Sequence, residues 1–190
     1  AHRAKSVQPE IAYLLSVQDT ACTLTDLGKV GRLPLRVTHN DTKINNVLFD
    51  NKTGAPLVVI DLDTVMPGLI GHDFGDAIRF AANYVLEDSP EYDKVGVNLD
   101  AFTAFAEGFL ERTADCMTQE ELDTLAVSSF CMTAEVAVRF LDDYLRGDPY
   151  FKTLYPEHNL VRTRNQIALC RDMMRHMEQM QSIVRRCSGR

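Results

Sequence analysis

The residues best suited to chemistry lie between Val37 and Asp76. Here the chain reads Thr38-His39-Asn40-Asp41-Thr42-Lys43-Ile44-Asn45-Asn46 and continues Val47-Leu48-Phe49-Asp50. The pattern is HxDxxxxN, with Asp41 two positions after His39 and Asn46 five after Asp41. Beyond the turn-forming stretch Asn51 to Pro56, an apolar run Leu57-Val58-Val59-Ile60 ends on Asp61-Leu62-Asp63. Short β-prone runs joined by a turn predict an antiparallel hairpin, which sets Asn46, entering the first strand, opposite Asp61, leaving the second. An amide oxygen beside a carboxylate offers hard oxygen ligands of the kind Mg²⁺ takes next to nucleotide phosphates. Asp41, one loop earlier, is within reach as the base for a hydroxyl nucleophile. That division of labour, with one Asp taking a proton and an Asn and a second Asp holding metal on a triphosphate, is the one kinases use. Ordinary turn chemistry explains Asp and Asn singly in an exposed hairpin but not this combination.

The elements that must position these groups are mostly helical. Ile11, Leu14, Leu15, Cys22 and Leu27 share one helical face between Pro9 and about Lys29, and Gly28 and Gly31 then break the pattern. Leu35 and Val37 alternate with Arg36 and Thr38, predicting a short strand that delivers His39. Past the hairpin, Pro67, Gly68 and Gly71 mark a loop, and Asp73-Phe74-Gly75-Asp76 opens a helix. Asp-Phe-Gly imitates the metal-binding triplet of protein kinases, but Asp73 is not at the end of a paired strand. It is expected to cap the helix, with Asp76 bracing the catalytic loop. Leu99, Phe102, Phe105, Phe109 and Leu110 form one apolar stripe, and Thr118-Gln119-Glu120-Glu121 reads as a capping box opening the helix that carries Leu125, Phe130, Val136 and Phe140. A last helix from about Leu160 carries a methionine stripe, Met173, Met174, Met177 and Met180, expected to be core, and arginines from Arg162 to Arg186 expected on a solvated face.

A chain of 190 residues with 45% hydrophobic content can bury one core without disulfides or structural metals. One domain spanning residues 1–190 is the expectation. Twenty basic against 27 acidic residues give a net charge of −7, which argues against nucleic acid or an anionic membrane as the main partner. Five cysteines (Cys22, Cys116, Cys131, Cys170 and Cys187), without a CxxC pair, fit a reducing cytoplasm rather than a disulfide framework or zinc site. The opening Ala1-His2-Arg3-Ala4-Lys5 leads into no signal-like apolar segment.

The stretches HNDTKINNVLFD, VVIDLDTVMPG and GHDFGDAIR, followed by RFLDDYLRGDPYF and HNLVRTRNQ, together resemble the aminoglycoside phosphotransferase and choline kinase superfamily, most closely its N-acetylhexosamine 1-kinase branch. The resemblance implies an α+β, mainly helical fold: the C-terminal lobe of a protein-kinase-like architecture with a catalytic-loop β-hairpin. It implies ATP-dependent transfer of phosphate to a sugar hydroxyl with Mg²⁺. Asp41 matches the catalytic base, Asn46 and Asp61 the nucleotide-bound metal's ligands, and Asp63 an acidic position near substrate or a second metal. Lys43 occupies the catalytic-loop lysine position. Arg139 and Tyr150 look like the arginine and tyrosine that contact the hexosamine. The family places a glycine-rich loop and a lysine strand ahead of the catalytic loop. Only 38 residues precede His39, and they read as helix and linker. The chain is therefore expected to be a fragment, inactive alone, whose partner is the N-terminal lobe of the same parent chain.

Three rivals stand beside this reading. Asp61-Leu62-Asp63-Thr64-Val65 also matches the opening of haloacid-dehalogenase-type phosphatases, whose first Asp is a nucleophile; such enzymes need a doubly wound parallel sheet downstream. The acceptor could be an amino alcohol or aminoglycoside rather than a sugar. A non-catalytic binding module is the third, which the intact Asp41, Asn46 and Asp61 oppose.

Overall fold

A computed structural model of the protein describes residues 3–189; Ala1, His2 and Arg190, which include the start of the basic N-terminal run, lie outside the described residues. The helical body is organised on one long member, α6 (Gln119–Arg146). Ahead of it in the chain come α1 (Gln8–Ser16), α2 (Gln18–Ala21), α3 (Thr23–Lys29), α4 (Ile70–Ala81) and α5 (Leu99–Thr113), and after it α7 (His158–Arg175) and α8 (Met177–Ser188). Both α4 and α7 pack along α6, while α8 lies against α5 and α6. By length and composition α6 could cross a membrane, but 67% of its most apolar window is buried, so its apolar surface is consumed by the core.

Local signals explain where α6 starts and stops. The Thr118 hydroxyl accepts the Glu121 N–H at 3.2 Å and the Glu121 carboxylate accepts the Thr118 N–H at 2.7 Å, the predicted reciprocal cap. At the other end Gly147 adopts φ 98°, a left-handed conformation that glycine takes without steric cost. Beneath α6, Phe74 of α4 meets Phe102, Phe105 and Phe109 of α5 edge-on, with centroids 5.7, 5.6 and 5.2 Å apart. The predicted α5 stripe thus closes on a single ring. Such aromatic pairs contribute roughly 0.5–1.5 kcal/mol each beyond area burial.

Several sequence-based expectations need correction. The helix expected from Pro9 to Lys29 is three segments, broken at Val17 and Cys22. The breaks let Tyr13, Val17 and Ala21 pack near Phe130 and Cys170, while Leu24 turns toward Leu33, Leu69 and Cys131; one straight stripe could not face both. The last helix is likewise two, parted at His176. Met173 and Met180 are buried as expected, but Met174 is exposed. The α7 arginines are not simply solvated: Arg164 pairs with Glu10 at 2.7 Å, and Arg171 lies 4.6 Å over the Tyr13 ring.

Two small antiparallel sheets sit at one end of this body. β1 (Arg36–Thr38) pairs with β4 (Met66–Gly68), and β2 (Val47–Phe49) with β3 (Pro56–Val59). Among the described residues there is no parallel sheet, so the doubly wound scaffold that a dehalogenase-type phosphatase requires is not formed. β1 turns its one apolar residue outward, Val37 being 84% exposed, while Thr38 is buried and Arg36 reaches Glu121 at 2.9 and 2.8 Å. Burial alone would push the Glu121 carboxyl up; the Arg36 guanidinium and the Thr118 N–H outweigh it and hold the group below its ordinary value. One carboxylate therefore both caps α6 and ties β1 to it. In the hairpin the side chains of Leu48, Phe49, Leu57 and Val58 remain exposed.

The approach of α4 to α6 is close at one point, where a Cβ on Gly75 would stand 2.4 Å from the Ser128 carbonyl oxygen. Gly108 of α5 has open space around it. Gly75→Ala is therefore expected to lower stability by about 1–3 kcal/mol or more through overpacking, despite alanine's better helix propensity. Gly108→Ala should raise it by roughly 0.5–1 kcal/mol. Denaturant melts of both variants check the pair; equal effects would place the α4–α6 contact elsewhere.

Candidate active site

The loop that carries HxDxxxxN is held from below by α4. Asp73 accepts the His39 N–H at 2.8 Å on one carboxylate oxygen and the Asn40 N–H at 2.7 Å on the other. The Asp73 carbonyl accepts the Thr42 hydroxyl at 2.6 Å. Asn40 sits at φ 63°, a left-handed conformation in which asparagine is tolerated; its side chain donates to the Thr64 carbonyl at 3.0 Å, and the Thr64 hydroxyl donates to the His39 carbonyl at 2.6 Å. Two expectations are corrected here. Because α4 already begins at Ile70, Asp73 lies inside its first turns and does not cap it. The bracing assigned to Asp76 belongs to Asp73, and Asp76 instead pairs with Arg79.

Asn46 ends a short 3₁₀ turn, Ile44–Asn46, and enters β2. Its Nδ2 donates to the Asp41 carbonyl at 2.9 Å and to the Asp41 carboxylate at 2.8 Å. That leaves the amide oxygen uncommitted among the described residues. Lys43 Nζ lies 3.4 Å from the other Asp41 carboxylate oxygen. The register differs from the expected one: Val47 pairs with Val59, so Asn46 faces Ile60, whose N–H it accepts at 2.9 Å. Asp61 is one residue past that pair, at φ 63°. Its position after the ladder follows from where the hairpin turn closes, on the Asp50 N–H to Ala55 carbonyl bond at 2.8 Å, and from the one-residue register shift between Leu48 and Phe49. His39 Nε2, 3.1 Å from the Ile60 carbonyl, must carry the proton, and the buried Nδ1 has no partner among the described residues.

The carboxylates crowd one another. A hydrogen bond to Asp63 and the repulsion of that group, then desolvation and the charge of Asp41, push the Asp61 carboxyl above its ordinary value, with Lys43 pulling it back. No group of three His, Cys, Asp or Glu side chains among the described residues forms a ready cation cage. Two repelling carboxylates and a free amide oxygen are hard donors, few in number, and so fit an ion such as Mg²⁺ that keeps waters and substrate oxygens in its remaining positions.

Asp41 and Lys43 line an open cleft of about 710 Å³ that runs to α6 and the segment after it, where Arg139, Tyr150 and Phe151 form part of the wall. Arg139 pairs loosely with Glu135 at 3.9 Å and not with Asp142 or Asp143. Its guanidinium carbon is 6.0 Å from the Tyr150 ring centroid and 5.6 Å from that of Phe151. Tyr150 is 74% exposed and is not a core residue. No local pattern points to what holds it: buried Asp143 accepts the N–H groups of Tyr150 and Phe151, both at 2.9 Å, and the Asn159 amide at 2.8 Å. Arg79 and Glu87, also in the cleft wall, were missed too. The signal for Arg79 was a charged i, i+3 pair, Asp76 and Arg79, on a helix otherwise apolar there. Residues 2–111 match the model of the phosphotransferase enzyme family.

Since the Asp61 carboxyl is raised in the fold, its protonated form is favoured there. Asp61 thus supports stability below the ordinary carboxylate range and withdraws that support as pH rises through its folded value. Without divalent cations, Asp61→Asn should melt above the wild-type chain at pH 7, with the gap closing as pH falls. Millimolar Mg²⁺ should raise the wild-type melting temperature at pH 7 and hardly move the variant. Thermal melts across pH with and without Mg²⁺ check both; an Mg²⁺ response that survives in Asp61→Asn removes Asp61 from the ligand set.

Proposed function

The chain belongs to the phosphotransferase enzyme family, matched over more than half its length, and on that premise we propose that it transfers the terminal phosphate of ATP to a sugar hydroxyl. The acceptor on this reading is an N-acetylhexosamine, phosphorylated at its anomeric hydroxyl. The single observation that carries the proposal is that Asp41, Lys43, Arg139 and Tyr150 border one cleft.

Asp41 is the base. With one carboxylate oxygen engaged by Asn46, it takes the acceptor proton as the acceptor oxygen bonds to the γ-phosphorus and the bond to ADP breaks. Lys43 neutralises charge on the phosphate being moved. Asn46, Asp61 and Asp63 would hold Mg²⁺, which when bound offsets the charge of the triphosphate. Arg139 gives directed donors to hydroxyls or an acetamido oxygen, and Tyr150 a flat apolar face suited to a pyranose ring. The exposed apolar side chains of Leu48, Phe49, Leu57 and Val58 are the surface on which a β-rich nucleotide lobe of the parent chain would rest. A cytoplasmic setting accords with five free thiols.

In enzyme that carries such a lobe, Asp41→Asn should lose about 10²–10⁴ in kcat with nucleotide affinity kept; turnover above about a tenth of wild type would take Asp41 out of the role. Arg139→Ala should weaken kcat/KM for the sugar by roughly 1.5–3 kcal/mol, as for a hydrogen bond to a charged group, and leave the KM for ATP in place. Kinetics with N-acetylglucosamine, N-acetylgalactosamine and choline decide the acceptor: turnover of choline alone keeps the phosphotransferase and overturns the hexosamine.

A further inference from the structure

Deep in the same cleft, two carboxylates each have one oxygen unspent. Arg79, 6% exposed, donates Nε and Nη2 to a single oxygen of Asp76, at 3.0 and 2.9 Å, and Nη1 to a single oxygen of Glu87. Asp76 Oδ2 and Glu87 Oε1 take no hydrogen bond from the described residues. The side chains are 10% and 25% exposed, and both residues line the cleft alongside Asp41. Neither oxygen is fully buried, so both stay open to the cleft as acceptors, and the guanidinium holds the two groups in place.

Glu87 is also positioned from behind. It lies in the segment between α4 and α5, and Asn165 of α7 donates to the carbonyls of Leu86 and Ser89, on either side of it, at 3.0 and 3.1 Å. The intervening Asp88 meets His158 Nε2 at 3.3 Å; His158 Nδ1 accepts the Leu154 N–H, so Nε2 carries the proton. A loop stapled at three successive points presents its carboxylate in a set place.

We propose that Asp76 and Glu87, clamped by Arg79, are the specificity-determining residues for the acceptor, taking hydrogen bonds from hydroxyls of a neutral polyhydroxylated molecule other than the one that reacts. The proposal rests on the sugar-phosphorylating reading of Asp41 and adds the groups that read the hydroxyl pattern. The charged side chains of the cleft are Asp41, Asp76, Glu87 and Glu135 against Lys43, Arg79 and Arg139. Either sign of ligand charge meets like charge among them. Hydroxyls are donors to the carboxylates and acceptors from Arg139, and a pyranose also has an apolar face for Tyr150 and Phe151.

The test is calorimetric titration of the 190-residue chain and of Glu87→Gln with N-acetylglucosamine, N-acetylgalactosamine, their 3-, 4- and 6-deoxy analogues, and choline. In Glu87→Gln the amide oxygen stays on Arg79 and the NH₂ turns to the cleft, replacing an acceptor by a donor. The affinity for the sugar should fall roughly 10- to 100-fold, the range for a lost hydrogen bond to a charged group. The wild-type preference for the sugar over one deoxy analogue should vanish in the variant; a purely structural role would weaken all ligands alike and keep that preference. Melting curves verify the variant's fold, and Glu87→Ala, which removes the acceptor without adding a donor, should lose the same preference. Unchanged affinity and preference in both variants overturn this proposal and leave the hexosamine reading intact. Wild-type binding of choline but of no neutral sugar overturns both, and so does no binding of any ligand.

Discussion

Everything at the site depends on one carboxylate in α4 that has no part in the chemistry. Asp73 takes the two N–H groups of His39 and Asn40, and those bonds connect a thin layer of strands and loops to the helical body. Without them Asn40 would be held in its left-handed conformation by its side-chain bonds to Thr64 and Thr38 alone, and Asp41, the next residue, would inherit the slack. Charged acceptors for backbone N–H groups are among the stronger hydrogen bonds available to a fold, and backbone strain persists only where its surroundings over-determine it. The second tether, Arg36 to Glu121, fastens the strand before the loop to the start of α6. Between them, the two tethers give the loop a fixed address relative to the helix that carries Arg139.

The cleft wall is built on a similar logic of charged groups tied to set partners. Arg79 organises Asp76 and Glu87, Asn46 organises Asp41, and Asp143 organises the chain around residue 150. At Asp61 and Asp63, both exposed, the compensation is thinner: the two carboxyl groups share a hydrogen bond and repel one another, with Lys43 pulling the other way. Perturbed titration collects where a site meets a ligand more often than elsewhere.

What could be read from the amino acids alone followed the range of the interaction. The HxDxxxxN spacing, the capping box at Thr118 and Glu121 and the aromatic stripe of α5 are local patterns, and each sits in the fold where its spacing put it. Errors came where a distant partner decides. Asp73 and Asp76 are three residues apart on the same helix, and nothing local says which of them faces the loop; the packing of α4 on α6 does. The breaks at Val17 and Cys22 answer to two separate core clusters, each contributed partly by later helices. The hairpin register turns on where the Asp50 turn closes and on a one-residue shift between Leu48 and Phe49. Asp143 and Glu87 are invisible because their meaning lies in partners that are remote in the chain or belong to an irregular loop, and Arg79 shows locally only its pair with Asp76.

The hold that Asp143 has on the segment after α6 is made to backbone N–H groups and not to side chains. Every amino acid except proline carries that group. Positions 150 and 151 can therefore change identity under selection while the main chain beneath them stays in place, and the wall of the cleft can acquire new chemistry without the scaffold being rebuilt. A region with that property is where paralogues would diverge in what they accept, and where a designer seeking a different acceptor should begin randomising.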